Sequence, residues 1–172
     1  MNVIPPGFPD CTSAGLRPIC GETASVLILG SYPGRQSLLK KEYYGNMRNH
    51  FWQIIEILFQ IDRNLPYKVR TSRLTEYGIA LWDVICTCNR EGSADNRIRD
   101  PVFNNILGFL ESNPPVHLVV LNGSAAGQYY RMLNIPLPVP WVVLPSTSPA
   151  NTRYTLKEKI RAWEIIRTTC FS

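Results

Sequence analysis

Residues 27–52 read LILGSYPGRQSLLKKEYYGNMRNHFW. The apolar run Leu27-Ile28-Leu29 ends in Gly30-Ser31-Tyr32-Pro33-Gly34, the signature of a strand entering a tight turn whose backbone can approach a ligand. Tyr43, Tyr44, Asn46, Arg48 and Asn49 follow, just ahead of an amphipathic segment that begins near Phe51 and Trp52. Aromatic faces, carboxamides and a guanidinium in one stretch suit the capture of a flat polar ring beside a phosphate. A second polar loop, Pro145-Ser146-Thr147-Ser148-Pro149-Ala150-Asn151, again follows an apolar run, and the two loops are expected to meet over one site.

The fold class follows from what surrounds these loops. Apolar, β-branched runs at Ala24–Leu29, Ala80–Ile85, His117–Leu121 and Trp141–Leu144 lack clean alternation, as strands covered on both faces do. Helical spacing is predicted over Asn49–Phe59, over part of Leu65–Tyr77, over Ser124–Leu133 and over Thr155–Cys170. Asp100-Pro101 offers an N-cap followed by proline, which predicts a helix running to about Glu111. Alternation of strand and helix implies an α/β fold, a three-layer α/β/α sandwich around a central, mostly parallel four-stranded sheet. Ligands of such sheets bind outside the carboxyl ends of the strands, which puts Gly30–Gly34, Cys86–Asp95, Asn122-Gly123 and Ser146–Asn151 on one rim. Residues 1–23, stiffened by Pro5, Pro6, Pro9 and Pro18, are expected to form an extension, and residues 24–172 one domain.

Composition narrows the function classes. With 172 residues and 45% hydrophobic content the chain can bury a core, which excludes wholesale disorder. No apolar run reaches the roughly 18 residues of a membrane span, and the Pro-rich start is not a secretory signal, so a cytoplasmic location is expected. Lys and Arg outnumber Asp and Glu by 18 to 13, and the +5 charge is dispersed, as suits a groove tracking phosphates. Cys11, Cys20, Cys86, Cys88 and Cys170 lack zinc-ligand spacing. Free thiols are expected, in preference to an iron–sulfur cluster.

Each motif also has a plain structural reading. The Gly30–Gly34 turn lacks both dinucleotide and P-loop fingerprints, so alone it is equally a simple turn. Adjacent Tyr43 and Tyr44 cannot both point inward on regular structure, which leaves one ring free to stack on a base. Asn46 and Asn49 are both candidate helix caps, with one of them expected to cap. Asp83 reads as a general base or as a loop-ordering carboxylate, and Asp95 as loop-ordering. Lys40 and Lys41 read as solvated.

Taken together, the Gly30–Gly34 turn, Tyr43-Tyr44-Gly45-Asn46-x-Arg48-Asn49-x-Phe51-Trp52, Leu81-Trp82-Asp83-Val84, Gly92-Ser93-x-Asp95, Asn122-Gly123 and Leu144–Asn151 resemble the hypoxanthine-DNA glycosylases, a branch of the uracil-DNA glycosylase superfamily. The likeness covers roughly residues 24–168, with Met47 standing where the family usually has proline. It implies a uracil-DNA glycosylase-like fold and a monofunctional enzyme that flips a deaminated base out of DNA and hydrolyses its glycosidic bond in base-excision repair. Asn49 matches the amide implicated in catalysis. Ser31 stands where related branches carry Asn, Asp or Glu, a departure that puts the weight on Asn49 for handling the water, with Ser31 kept beside it as a catalytic candidate. Tyr43, Tyr44, Asn122 and Tyr32 become the base-binding set. Arg48, Ser146, Thr147, Ser148, Ala150, Asn151 and Arg153 become the DNA-binding set, with Ala150 a small wedge. The resemblance implies no metal and no organic cofactor, DNA as partner, no membrane, and a monomer associated with the nucleoid. The rivals are a uracil- or mismatch-specific glycosylase, a non-catalytic nucleic-acid-binding module, and an enzyme acting on free nucleosides.

Overall fold

A computed structural model describes residues 15–113, 115–134 and 139–172. Strands β1 (Val26–Gly30), β2 (Ile79–Asp83), β5 (Leu118–Asn122) and β6 (Trp141–Leu144) form one sheet in the order β2-β1-β5-β6, every pairing parallel. Alternate residues feed two cores. Val26, Ile28, Ile79, Leu81, Leu118 and Val120 pack with Phe51, Ile55, Leu74 and Trp163 from helices α2 (Phe51–Phe59), α3 (Tyr67–Glu76) and α6 (Leu156–Cys170). Leu27, Leu29, Ala80, Trp82, Val119 and Leu121 pack with Ile106, Phe109, Ala126 and Tyr130 from α4 (Ile106–Ser112) and α5 (Ser124–Met132). A sheet buried on both faces has no polar face to alternate with, which is why its strands read as continuous apolar runs. The fold is the three-layer α/β/α sandwich that the sequence implies.

Short-range chemistry sets the helix ends. Thr155 accepts the Glu158 N–H at 3.3 Å while Glu158 Oε2 accepts the Thr155 N–H at 2.7 Å, a reciprocal capping box at the start of α6. Lys41 (φ 55°) and Gln60 (φ 58°) close α1 (Arg35–Lys40) and α2 in the left-handed region. The six-residue α1 is too short to show a period in the sequence.

Two expectations are corrected between residues 80 and 111. The run Ala80–Ile85 is not one strand: β2 ends at Asp83, and β3 (Ile85–Asn89) turns off to pair antiparallel with β4 (Arg99–Phe103). The helix expected from Asp100 is absent, because Asp100 and Pro101 lie in β4. Thr87 pairs with Val102 and Asn89 with Arg99, so β4 carries an extra residue there; Asp100 (φ 50°) is in the left-handed region, as a bulge allows. A two-stranded ribbon leaves one side of each strand unpaired and therefore tolerates Pro101. Helix α4 starts later, with Asn105 Oδ1 accepting the Gly108 N–H at 3.0 Å.

Ile19 exchanges two backbone hydrogen bonds of 2.8 Å with Leu81, so residues just before β1 lie along the β2 edge of the sheet. Cys20, Cys88 and Cys170 are free thiols as expected, whereas Cys86 is disulfide-bonded; Cys11 lies outside the described residues.

Candidate active site

The chain leaves β1 toward β2 on one side and later returns to place β5 on the other, so the sheet's switch point lies between β1 and β5. In parallel sheets the loops on the two sides of such a point run in opposite directions, which makes the carboxyl ends there the usual place for a ligand. Gly30 ends β1 at that point, level with Asp83 on β2. A Cβ on Gly30 would sit 2.5 Å from Asp83 Oδ1 and 3.8 Å from the Tyr44 hydroxyl. Glycine is required because two polar side chains lie across its backbone.

On the β5 side, Thr147 fastens three elements. Its backbone N–H donates to Asn122 Oδ1 at 2.9 Å, and its Oγ1 accepts from Asn122 Nδ2 at 2.9 Å. Its carbonyl accepts the His50 N–H at 2.9 Å, and its side chain is fully buried. The segment carrying Asn49, the end of β5 and the C-terminal loop therefore meet at one residue, as the two-loop reading requires. Asn49 Oδ1 accepts the Phe51 N–H at 2.9 Å, which leaves its Nδ2 to donate elsewhere. Asn46 behaves alike toward Arg48 N–H at 3.0 Å, so both amides shape the entry to α2.

The two tyrosines depart from expectation. Tyr43 is 4% exposed, and its hydroxyl donates to the carbonyls of Leu16 (3.3 Å) and Arg17 (3.0 Å). It is a core residue and cannot stack on a ligand. Tyr44 adopts φ 55°, which breaks the alternation that regular structure would impose, so it packs beside the core as well while staying half-buried. The Tyr44 ring stacks on Phe51 at 3.9 Å, and its hydroxyl bonds with Asn122. Burial, reinforced by the charge of Asp83, pushes the Tyr44 phenol well up, while the Asn122 bond pulls the other way.

The C-terminal loop is organised largely by itself. Ser146 Oγ accepts from Ser148 N–H (3.2 Å), Ser148 Oγ from Ala150 N–H (3.2 Å), and Asn151 Nδ2 donates to the Ser146 carbonyl (3.0 Å). Gly123 (φ 96°) passes so close that a Cβ would lie 2.7 Å from that of Ser146. Beneath the loop, fully buried Lys159 on α6 donates to the Asn151 carbonyl at 3.0 Å and lies 3.4 Å from His50 Nδ1. Burial lowers the Lys159 pKa; burial and the lysine charge together lower that of His50. The sequence showed Lys159 only as part of a basic stretch. Arg48, Ala150 and Arg153 are exposed around this side, with the Arg153 guanidinium 5.8 Å from the Tyr154 ring centroid.

On the β2 side a charged cluster forms that the sequence did not bring together. Ser31, 9% exposed, donates its hydroxyl to Asp95 Oδ1 at 2.6 Å. The loop carrying Asp95 folds back onto the first turn, where Ser93 Oγ accepts the Arg35 N–H at 2.9 Å. Arg90 donates to the Pro33 carbonyl, and its guanidinium lies 4.8 Å from the Tyr32 ring centroid. Tyr32, Arg90, Arg35, Leu38, Cys88 and Gly92 line an open cavity of about 480 Å³ that neither Asn49 nor Asn122 borders. Asp83 is 5% exposed, and burial, with the neighbouring Asp95 charge, raises its pKa to about 8 against the pull of Arg90. Burial also raises Asp95, opposed by the Ser31 hydroxyl and Arg90. Among the described residues, no group of three His, Cys, Asp or Glu side chains could hold a metal ion.

Fold and rim together define a three-layer α/β/α protein with polar loops gathered at the carboxyl ends of its strands. The profile of the uracil DNA glycosylase superfamily matches residues 18–167, and the chain belongs to that family. It is similar to a Methanosarcina acetivorans protein named hypoxanthine DNA glycosylase, 35% identical over 153 residues, covering 88% of this chain and 96% of the relative. A Methanosarcina barkeri protein of the same name is 34% identical over 150 residues, covering 87% and 94%. The solution NMR structure of a Methanosarcina acetivorans protein with a provisional uracil DNA glycosylase description superposes with a TM-score of 0.80. It is 32% identical and covers 91% of this chain and 97% of its own. No helix among the described residues is long and apolar enough to cross a membrane.

Proposed function

We propose that this chain is a monofunctional DNA glycosylase that flips a deaminated base, hypoxanthine first, out of DNA and hydrolyses its N-glycosidic bond. The observation that carries this reading is the Thr147 junction, which holds the Asn49 segment and Asn122 together at the switch point. The names of the two Methanosarcina relatives supply the lesion.

Cleavage of the bond between C1′ and N9 develops positive charge on the sugar, and fixed dipoles stabilise it without a metal. Asn49 offers an N–H to the oxygen of the attacking water or to the departing purine, where negative charge develops, since its own oxygen is engaged by the helix. Tyr44 supplies the aromatic wall of the base pocket, the role that Tyr43 is too buried to take. Asn122 acts by holding the loop and Tyr44 in place, with spare amide capacity to meet the base edge. Ser146–Asn151, Arg48 and Arg153 grip phosphates, and Ala150 enters the space the base leaves. The protein acts as a monomer on DNA, without a cofactor.

Oligonucleotides carrying hypoxanthine, uracil, xanthine or a thymine mismatch, incubated with the protein and then treated with alkali, test this directly. Strand scission greatest at hypoxanthine supports the reading. Scission greatest at uracil, the base in the provisional description of the solved relative, shifts the substrate and leaves the class intact. Binding without scission at any lesion overturns it.

A further inference from the structure

Hydrolysis requires that the attacking water give up a proton, and the amides of the site cannot take it. A carboxamide is not a base at neutral pH, and the oxygens of Asn49 and Asn122 already accept backbone N–H groups. Two carboxyl groups stand at the rim. Asp83 is sealed at 5% exposure, whereas Asp95, at the start of a 3-10 turn (Asp95–Arg97), retains solvent access. Resting on the glycosylase reading, we infer that Asp95, held in place by Ser31, is the base that receives the proton of the attacking water.

The geometry around Asp95 fits that task. The Ser31 hydroxyl fixes one carboxylate oxygen at 2.6 Å, and the Ser31 carbonyl is itself pinned by the Ile85 N–H at 3.0 Å. Ser31, just past the end of β1, thus aims a carboxylate delivered from the β3–β4 hairpin. The polar groups behind Asp95 are themselves under-satisfied. Asp83 Oδ2 and Arg90 Nη1 are buried with no hydrogen-bond partner, although the Asp95 and Arg90 charges both act on Asp83. Such orphan atoms are rare in native proteins and concentrate where a site is kept polar for chemistry rather than for stability. In the step itself, the C1′–N9 bond breaks with its electron pair leaving on the purine. The water oxygen bonds to C1′, its proton passes to Asp95, and the purine anion takes a proton from solvent. Ser31 is a positioning residue.

The test compares wild type, Asp95→Asn and Ser31→Ala by single-turnover base release from hypoxanthine DNA, by affinity for the same DNA, and by thermal melting. Asp95→Asn is expected to slow release by ~10²-fold or more, the usual scale of a general base, with affinity and melting little changed. Groups facing Asp95 are Asp83 from β2, Cys88 and Arg90 from β3 and its end, and Tyr129 from α5. The wild-type rate should fall on the acid side as Asp95 takes up a proton. Because the Ser31 bond favours the ionised form, Ser31→Ala should move that limb to higher pH, a shift that a merely structural role does not produce. If Asp95→Asn does not fold, the Ser31→Ala limb decides. Full activity of Asp95→Asn, or an unmoved limb in Ser31→Ala, overturns the inference and leaves the glycosylase reading standing. A wild-type protein that releases no base overturns that reading itself.

Discussion

Asn49 performs two duties with one side chain, and they can be separated. Its oxygen receives the Phe51 N–H and starts α2; its nitrogen is the group assigned to chemistry. Asn49→Asp keeps the oxygen, suits the positive helix end, and removes the N–H donor. Base release should drop ~10²-fold, the cost of one catalytic hydrogen-bond donor, while the melting temperature holds. Asn49→Ala should also destabilise by ~1 kcal/mol through the lost cap, which denaturant titration would reveal. Asp83 gives a pH signature instead. Its folded pKa of about 8 lies above its ordinary 3.8, so the folded state holds the proton longer than the unfolded chain. Its contribution to stability is complete below pH 4 and is lost as pH rises toward 8. Asp83→Asn should therefore melt progressively higher than wild type between pH 5 and pH 9; parallel curves would sink the assignment. Asn122 was legible in the sequence as the polar residue closing an apolar run and Asn49 as a candidate cap ahead of one, their site roles coming from the resemblance. The Ser31–Asp95 bond, spanning 64 positions, has no local signature, and Tyr43 was misread because the sign of φ at Tyr44 cannot be seen in composition.

Elements that answer to a local pattern were legible, and those that answer to a distant partner were not. The strand β6 and helices α2, α5 and α6 lie within a residue or two of their expected bounds, since period, caps and β-branched runs are local properties. The ribbon of β3 and β4 exists only through pairing across the intervening loop, and there the Asp100-Pro101 helix signal lost to tertiary contacts. Helix α6 shows a second kind of invisibility. Its exposed-looking basic stretch contains Lys159, fully buried, whose ammonium supports the Asn151 carbonyl under the DNA-facing loop. A buried charge is costly, so Lys159→Met should leave the melting temperature unchanged or raised. The loop it supports should loosen, weakening affinity for hypoxanthine DNA ~10-fold, while ordinary lysine-to-methionine changes at exposed Lys157 should not. Equal affinity in Lys159→Met and wild type would show that the lysine supports the helix alone.

For the molecule as a whole, charge rather than contact shape should set how it finds DNA. A net charge of +5, dispersed along the sequence, leaves phosphate contacts to individual residues around the rim. Arg48 precedes α2 and Arg153 follows the C-terminal loop, and the Thr147 junction holds their two segments together. Each guanidinium that neutralises one phosphate releases condensed counterions, so removing it should flatten the plot of log affinity against log salt by about 0.9. Arg48→Ala and Arg153→Ala should each weaken binding to damaged and undamaged duplexes alike, and the double variant should flatten the plot by the sum. The bound-state rate of base release should stay at wild type in all three, because neither guanidinium reaches the Ser31–Asp95 pair or the Asn49 amide in this assignment. A variant that keeps the wild-type salt slope but loses rate would place that arginine against the reacting sugar instead, and would move the phosphate grip to other basic residues of the rim.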